Sequence, residues 1–211
     1  MSEGFLDRMG NSQRFPPFTM ALIALNVLVF LIGMRLPLVP HGALSLAGLR
    51  HGHFWQLITF QFLHGGIVHL LLNCWMIFVF GRPLEAVLGK SRLALLYLVS
   101  GVAGGALQVF ASILSYQRFG GPVVGASAGV FGLIAAFTSL FPEARMTLLL
   151  FFVIPVRMTA NRLLTVAAVI TVVGIMFPNW LLGTHVAHAA HLGGLIAGLI
   201  VVRIFLRRYR H

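Results

Sequence analysis

The chain has 211 residues, of which 59% are hydrophobic and 9% charged, with a mean hydropathy of +0.96 and a formal net charge of +11. A soluble domain carries about a quarter charged residues, so a water-soluble globule is excluded, and continuous rather than alternating apolar runs favour helical spans over a barrel. The basic excess reads as flanking charge that orients spans in a membrane, not as a nucleic-acid surface, and the single cysteine, Cys74, excludes an intramolecular disulfide.

Residues 1–17 are polar and contain Arg8, Arg14 and the Pro16-Pro17 pair; they are expected to form an exposed tail. Phe18 to Met34 is the first apolar run. A long tail with Glu3 and Asp7 precedes it and further spans follow, so it is expected to be retained rather than cleaved as a signal peptide. Arg35 to Phe62, with His41, His51, His53 and several aromatics, is too polar to span and too apolar to float. It is expected to lie partly in the interface with Trp55 as an anchor. A second span over about 66–80 is expected to end at Gly81-Arg82-Pro83, and a third covers about 93–114. After the Gly120-Gly121-Pro122 turn comes a fourth, about 125–141, stopped by Pro142. The apolar stretch Met146 to Pro155 is too short to cross and is expected to be a loop or interfacial piece. A fifth span covers about 163–177, residues 178–184 form a turn with Trp180, and a sixth span runs over about 185–206.

Six spans sort the basic residues. One side takes Arg8, Arg14, Arg82, Lys90, Arg92, Arg145, Arg157, Arg162, Arg203, Arg207, Arg208 and Arg210, and the other takes only Arg35, Arg50 and Arg118. The positive-inside rule then places both termini in the cytoplasm. The expected organisation is one six-span unit over residues 18–206 with cytoplasmic tails at 1–17 and 207–211. Spans two, four and six run from outside to inside. His69, Ser127 and His191 all fall near the starts of these spans, within roughly 10 Å of their outer ends. Three polar groups at one depth suggest one site.

Ser127 sits in Gly125-Ala126-Ser127-Ala128-Gly129-Val130-Phe131-Gly132. Taken alone it is more simply a helix-packing serine. The pairs Gly125/Gly129 and Ala128/Gly132, and Gly194/Gly198 on span six, change that reading, because small residues four apart let helix backbones approach closely. Close approach would bring the Ser127 hydroxyl within reach of His191, an intramembrane imidazole that also has a bland reading as a carbonyl clasp. Neutral imidazole is tolerable in low dielectric and is available as a base. Ser127 also lies at a helix mouth, where unsatisfied N–H groups and the helix dipole favour an oxyanion. His69 and Asn73 are at i and i+4, hence on one face of span two. They form either an interhelical clasp or an oxyanion-stabilising pair. The only carboxylates, Glu3, Asp7, Glu85 and Glu143, are all assigned to the opposite side, so a hydrolase built here works with a Ser–His dyad and no acidic third member. Nothing in this chemistry requires a cofactor or a metal.

With these motifs in hand, the chain resembles the rhomboid intramembrane serine proteases in their six-span bacterial form, over about Phe18 to Leu206. His64 to Asn73, Gly125 to Gly132 and Ala190 to Gly198 carry the resemblance, in order and on the expected spans. It implies an all-α polytopic helical bundle. It implies Ser127 as nucleophile, His191 as general base and then acid, and His69 and Asn73 as oxyanion donors together with the Ser127 N–H. It implies transmembrane protein substrates within membrane lipid, a first loop half in the membrane, and a bacterial inner-membrane location with the site near the outer face. Two positions depart from the family pattern: Ala128 replaces a glycine after the serine, and Gln56 replaces an arginine after Trp55, removing a charge that anchors the first loop. The competing readings are a catalytically silent rhomboid-like binding protein and a metal or proton transporter using His185, His188, His191, His64 and His69. The transporter reading lacks intramembrane carboxylates. Span five has no small-residue pair like those on spans four and six. A looser contact with span two through Met176 and Phe177 is therefore expected, and with it a lateral opening for a substrate helix, with residues 178–184 as its lid.

Overall fold

A computed structural model describes residues 16–150, 153–177 and 186–207. The six apolar runs appear as helices: α1 (Pro17–Gly33), α5 (Ile67–Leu88), α6 (Lys90–Leu114), α8 (Ser127–Leu140), α9 (Ala160–Met176) and α10 (His188–Arg207). Between α1 and α5 lie the short α2 (Leu38–Gly42), α3 (Leu46–Arg50) and α4 (Gln56–Thr59), and α7 (Tyr116–Phe119) precedes α8. Helices α5, α6 and α10, of 22, 25 and 20 residues, are long and apolar enough to cross a bilayer. Helices α1, α8 and α9 are apolar but shorter, at 17, 14 and 17 residues. The assembly is an all-α polytopic membrane bundle with one small β element.

Helix α8 is the axis. Ten of its 14 residues are buried, from Ala128 to Thr138, and α5, α6, α9 and α10 pack around it. Small residues make this possible. A Cβ on Gly194 would collide with the Ala128 carbonyl, one on Gly198 with the Gly132 carbonyl, and one on Gly104 with the Ala190 carbonyl. The backbones of α10, α8 and α6 are therefore in direct contact, as small-residue pairs permit. Toward the other end of α8 the core becomes bulky, with Phe80 and Phe137 edge to face at 5.3 Å and Leu84, Leu96, Leu133 and Val202 around them.

Several boundaries differ from the sequence expectation, α6 and α9 each beginning three residues early, and one segment is a different element. Helix α5 does not stop at Gly81-Arg82-Pro83 but continues through Pro83 to Leu88; proline is tolerated where neighbouring helices enclose a membrane helix. The extra turns carry Glu85 to the start of α1, where its carboxylate accepts from Phe18 N and Thr19 N at 2.8 Å and from Thr19 Oγ1 at 2.7 Å. These are N–H groups that no intrahelical carbonyl reaches. Helix α8 begins at Ser127 itself rather than at Gly125. Helix α10 begins at His188; His185 and Trp180 lie outside the described residues. The segment expected as a loop or interfacial piece is an antiparallel hairpin, β1 (Arg145–Leu150) with β2 (Ile154–Thr159), in the register Arg145 opposite Thr159 and Thr147 opposite Arg157.

The first loop is braced. Gln56 is buried, accepts from Ser45 N at 3.2 Å and donates to the His41 carbonyl at 3.4 Å, while Trp55 Nε1 donates to the same carbonyl at 3.0 Å. A neutral amide thus tethers the loop where the family pattern has a charge. Phe54, Trp55 and Ile58 remain exposed, as suits a segment half in the interface.

Candidate active site

Three tethers place Ser127. Leu44 and Val123 exchange backbone hydrogen bonds at 3.0 and 2.8 Å, and Gly125 N donates to the Phe60 carbonyl at 2.9 Å. The first loop thereby holds the strand-like approach to α8. Gly125 has φ +128°, and a Cβ there would lie 2.7 Å from Cε1 and Nε2 of His69; glycine is required both by the dihedral and by the imidazole against it. Ala128, in contrast, is an interior helical residue packed toward Gly104 and Gly194, a position that asks no conformational freedom of it.

His191 is carried by α10, whose first turn is held by Gln108 of α6. Gln108 Oε1 accepts from Ala190 N at 3.2 Å, and its Nε2 donates to the Phe119 carbonyl at 3.0 Å. Ser112 Oγ donates to the same carbonyl at 2.7 Å. The result is that Ser127 Oγ and His191 Nε2 are 2.9 Å apart across 64 residues of sequence. Phe131, one turn beyond Ser127 on α8, stacks on the His191 ring at 4.2 Å between centroids and 9° between planes. The imidazole is thus oriented by an aromatic face. Of the described carboxylates, Glu85 caps α1 and Glu143 accepts from Asn161 Nδ2 at 3.5 Å; neither orients His191.

His69 joins this cluster. Its Nδ1 accepts from Gly65 N at 3.4 Å, which leaves Nε2 as the protonated nitrogen, directed at Gly125 beside Ser127. Asn73 is buried one turn further on, and its Nδ2 donates to the His69 carbonyl at 2.8 Å. One amide hydrogen is therefore used inside α5 and the second remains. The structure brings Ser127, His191 and His69 together, while the Asn73 amide is bonded within α5 to the His69 main-chain carbonyl, one turn from that cluster. The first N–H groups of α8 open toward the same place, with no side chain capping them.

Gln108 and Phe131 were not singled out from the sequence. A lone glutamine inside an apolar span was the available signal for Gln108, and the i+4 spacing from Ser127 was the one for Phe131. His188, three residues before His191, packs its ring against Gly174 of α9 and lies edge-on to His191 at 6.0 Å. Among the described residues no three His, Cys, Asp or Glu side chains converge as a metal site.

Residues 51–208 match the Rhomboid domain. The chain is 35% identical to RHOMBOID-like protein 1 of Arabidopsis thaliana over 82% of its own length and 40% of that protein. It is 40% identical to the putative rhomboid protease YdcA of Bacillus subtilis over 43% of each chain, and 29% identical to the rhomboid protease GluP of the same organism over 87% of this chain and 34% of that one. The chain thus spans less than half the length of these relatives. A domain match over most of the chain, with a polytopic helical bundle beneath it, establishes that this integral membrane protein belongs to the rhomboid family.

Proposed function

We propose that the protein is an intramembrane serine endopeptidase that hydrolyses a peptide bond in single-span membrane proteins with a Ser127–His191 dyad. The observation that carries this reading is the 2.9 Å approach of Ser127 Oγ to His191 Nε2, inside a family whose members include proteins named as rhomboid proteases. Ser127 Oγ attacks the scissile carbonyl carbon while His191 Nε2 takes its proton. Negative charge develops on the carbonyl oxygen, and the Ser127 backbone N–H, His69 Nε2–H and the second Asn73 amide hydrogen donate to it. The imidazolium then protonates the leaving nitrogen as the C–N bond breaks. Water, deprotonated by His191, hydrolyses the acyl ester and returns the serine. Phe131 and Gln108 fill the orienting role that an aspartate has in a triad.

The same reading takes six crossings with both termini cytoplasmic, a catalytic unit over residues 18–206 between short tails, and a site near the outer face of a bacterial inner membrane. A substrate helix enters between α5 and α9. The test is covalent labelling by a fluorophosphonate together with cleavage of a reconstituted single-span substrate. Both should occur in the wild type and be unaffected by chelators. Cleavage retained in Ser127→Ala removes the serine as nucleophile. Loss of activity to a chelator, restored by zinc, favours a metal-dependent function instead.

A further inference from the structure

The hairpin between α8 and α9 takes no part in the proposed chemistry. It is amphipathic by register. Arg145, Thr147, Arg157 and Thr159 fall on one face, paired as Arg145 with Thr159 and Thr147 with Arg157, and Pro155 follows on that face toward the tip. Met146, Ile154, Val156 and Met158 fall on the other, because strand side chains alternate. At the base of the apolar face, Met146 and Met158 pack on the bundle core. Toward the tip Ile154 on that face is 53% exposed, and Val153, in the turn that leads into β2, is 78% exposed.

Its position follows from helix length. Helix α8 has 14 residues and α9 has 17, so they rise only about 21 and 26 Å, less than the roughly 30 Å of hydrocarbon. The hairpin joins them at the end of α8 opposite Ser127. Its base is closed by bonds from the first residues of α9 to the linker that follows α8, Ala160 N to the Ala144 carbonyl at 2.9 Å and Asn161 N to the Pro142 carbonyl at 3.1 Å. A connection this short keeps the hairpin at the membrane boundary. It cannot sit deeper, because each strand of a two-stranded ribbon has an unpaired edge that hydrocarbon does not satisfy. Nor does it gain by standing in water, where an isolated hairpin is marginal.

We propose that this hairpin is an interfacial lipid-binding element, with Val153 and Ile154 inserted at the acyl boundary of the leaflet remote from Ser127 and the arginine face bound to anionic phospholipid headgroups. The charge matches: Arg145, Arg157 and the neighbouring Arg162 are all exposed, and among the described residues the one carboxylate near them in the chain, Glu143, already accepts from Asn161. Apolar insertion combined with basic attraction is the mode by which amphipathic surface elements hold a membrane. This inference rests on the membrane bundle and not on the hydrolytic reading.

The test places an environment-sensitive fluorophore at Val153→Cys or Thr147→Cys in a Cys74→Ala background, in the full chain reconstituted into vesicles of phosphatidylcholine with or without phosphatidylglycerol. A label at 153 should emit as in an apolar medium and be quenched by acyl-chain spin labels, while one at 147 should be quenched by aqueous iodide. Phosphatidylglycerol should deepen the 153 position at low salt by about fivefold in population per arginine, and Arg145→Gln with Arg157→Gln should abolish that gain. A label at 153 as open to iodide as one at 147 overturns the insertion. Quenching at 153 that is indifferent to phosphatidylglycerol overturns the headgroup contact. Protection found in native membranes but absent from pure-lipid vesicles overturns the proposal in favour of a protein partner.

Discussion

A serine hydroxyl attacks a peptide carbonyl only when a base takes its proton, so the two members of the Ser127–His191 pair should fail in different ways. Ser127→Ala exchanges one small group for another and should leave a folded, inactive protein. His191→Ala should lose turnover and fluorophosphonate labelling together; strong labelling of that variant would separate the hydroxyl from the imidazole. On the proposed mechanism Asn73→Ala should lower kcat by about 10²–10³ with little change in KM, because the donor assigned there would meet charge that exists only in the tetrahedral state. An equal loss in KM alone would reassign Asn73 to substrate binding. His64, just before α5, has a pKa lowered from 6.5 to about 4 by burial, with the neighbouring His69 adding to the shift. The folded state therefore resists protonating it while the unfolded state does not. Its contribution is whole above pH 6.5 and is lost as pH falls toward 4, by about 3 kcal/mol in all. Thermal unfolding in detergent should weaken with acid more steeply in the wild type than in His64→Gln, and parallel slopes would contradict this.

Among the helices, what could be read in advance was what spacing encodes. Ser127 and His191 were legible because each sits among small residues four apart, and that pattern states how closely two backbones pass. Phe131 was not, since it is one of 18 phenylalanines and its i+4 spacing from Ser127 gives it the serine's face without saying that an imidazole meets it. The hairpin was hidden by the largely apolar run 146–155, although Ile154-Pro155-Val156-Arg157-Met158-Thr159 alternates from Val156 on. Pro83 misplaced the end of α5 because the rule that proline stops a helix weakens where neighbouring helices enclose it. The continuation matters for stability. Glu85→Ala leaves three donors at the start of α1 without their acceptor and should cost about 3 kcal/mol or more, read as a lowered Tm. Glu85→Gln keeps an acceptor oxygen and should recover part of it; a Tm unchanged in both would remove Glu85 as the clamp of α1.

For the molecule as a whole, the expected weak seam between spans two and five takes a different form. Met176 and Phe177 are 59% and 54% exposed, so they do not bury a seam against α5. Helix α9 is held instead by Gly174 under His188 and by Arg118 of α7, whose Nη2 donates to the Ile175 and Met176 carbonyls at 3.1 and 2.8 Å. Those are carbonyls that the end of a helix leaves unsatisfied. If substrate enters beside α9, Arg118→Leu should speed cleavage of a membrane substrate and lower Tm, and a disulfide between the outer ends of α5 and α9 should block it. Unchanged cleavage with that crosslink fully formed would place the entrance elsewhere. The clamp on α1 also bears on how the protein is made. The first helix is capped by a carboxylate 66 residues later in the chain than Thr19, so at ribosomal rates of roughly 5–20 residues per second α1 spends several seconds in the membrane with its amino end unfinished. A nascent chain stalled before Glu85 should hold α1 only loosely, and release of one extra turn of α5 should lock it.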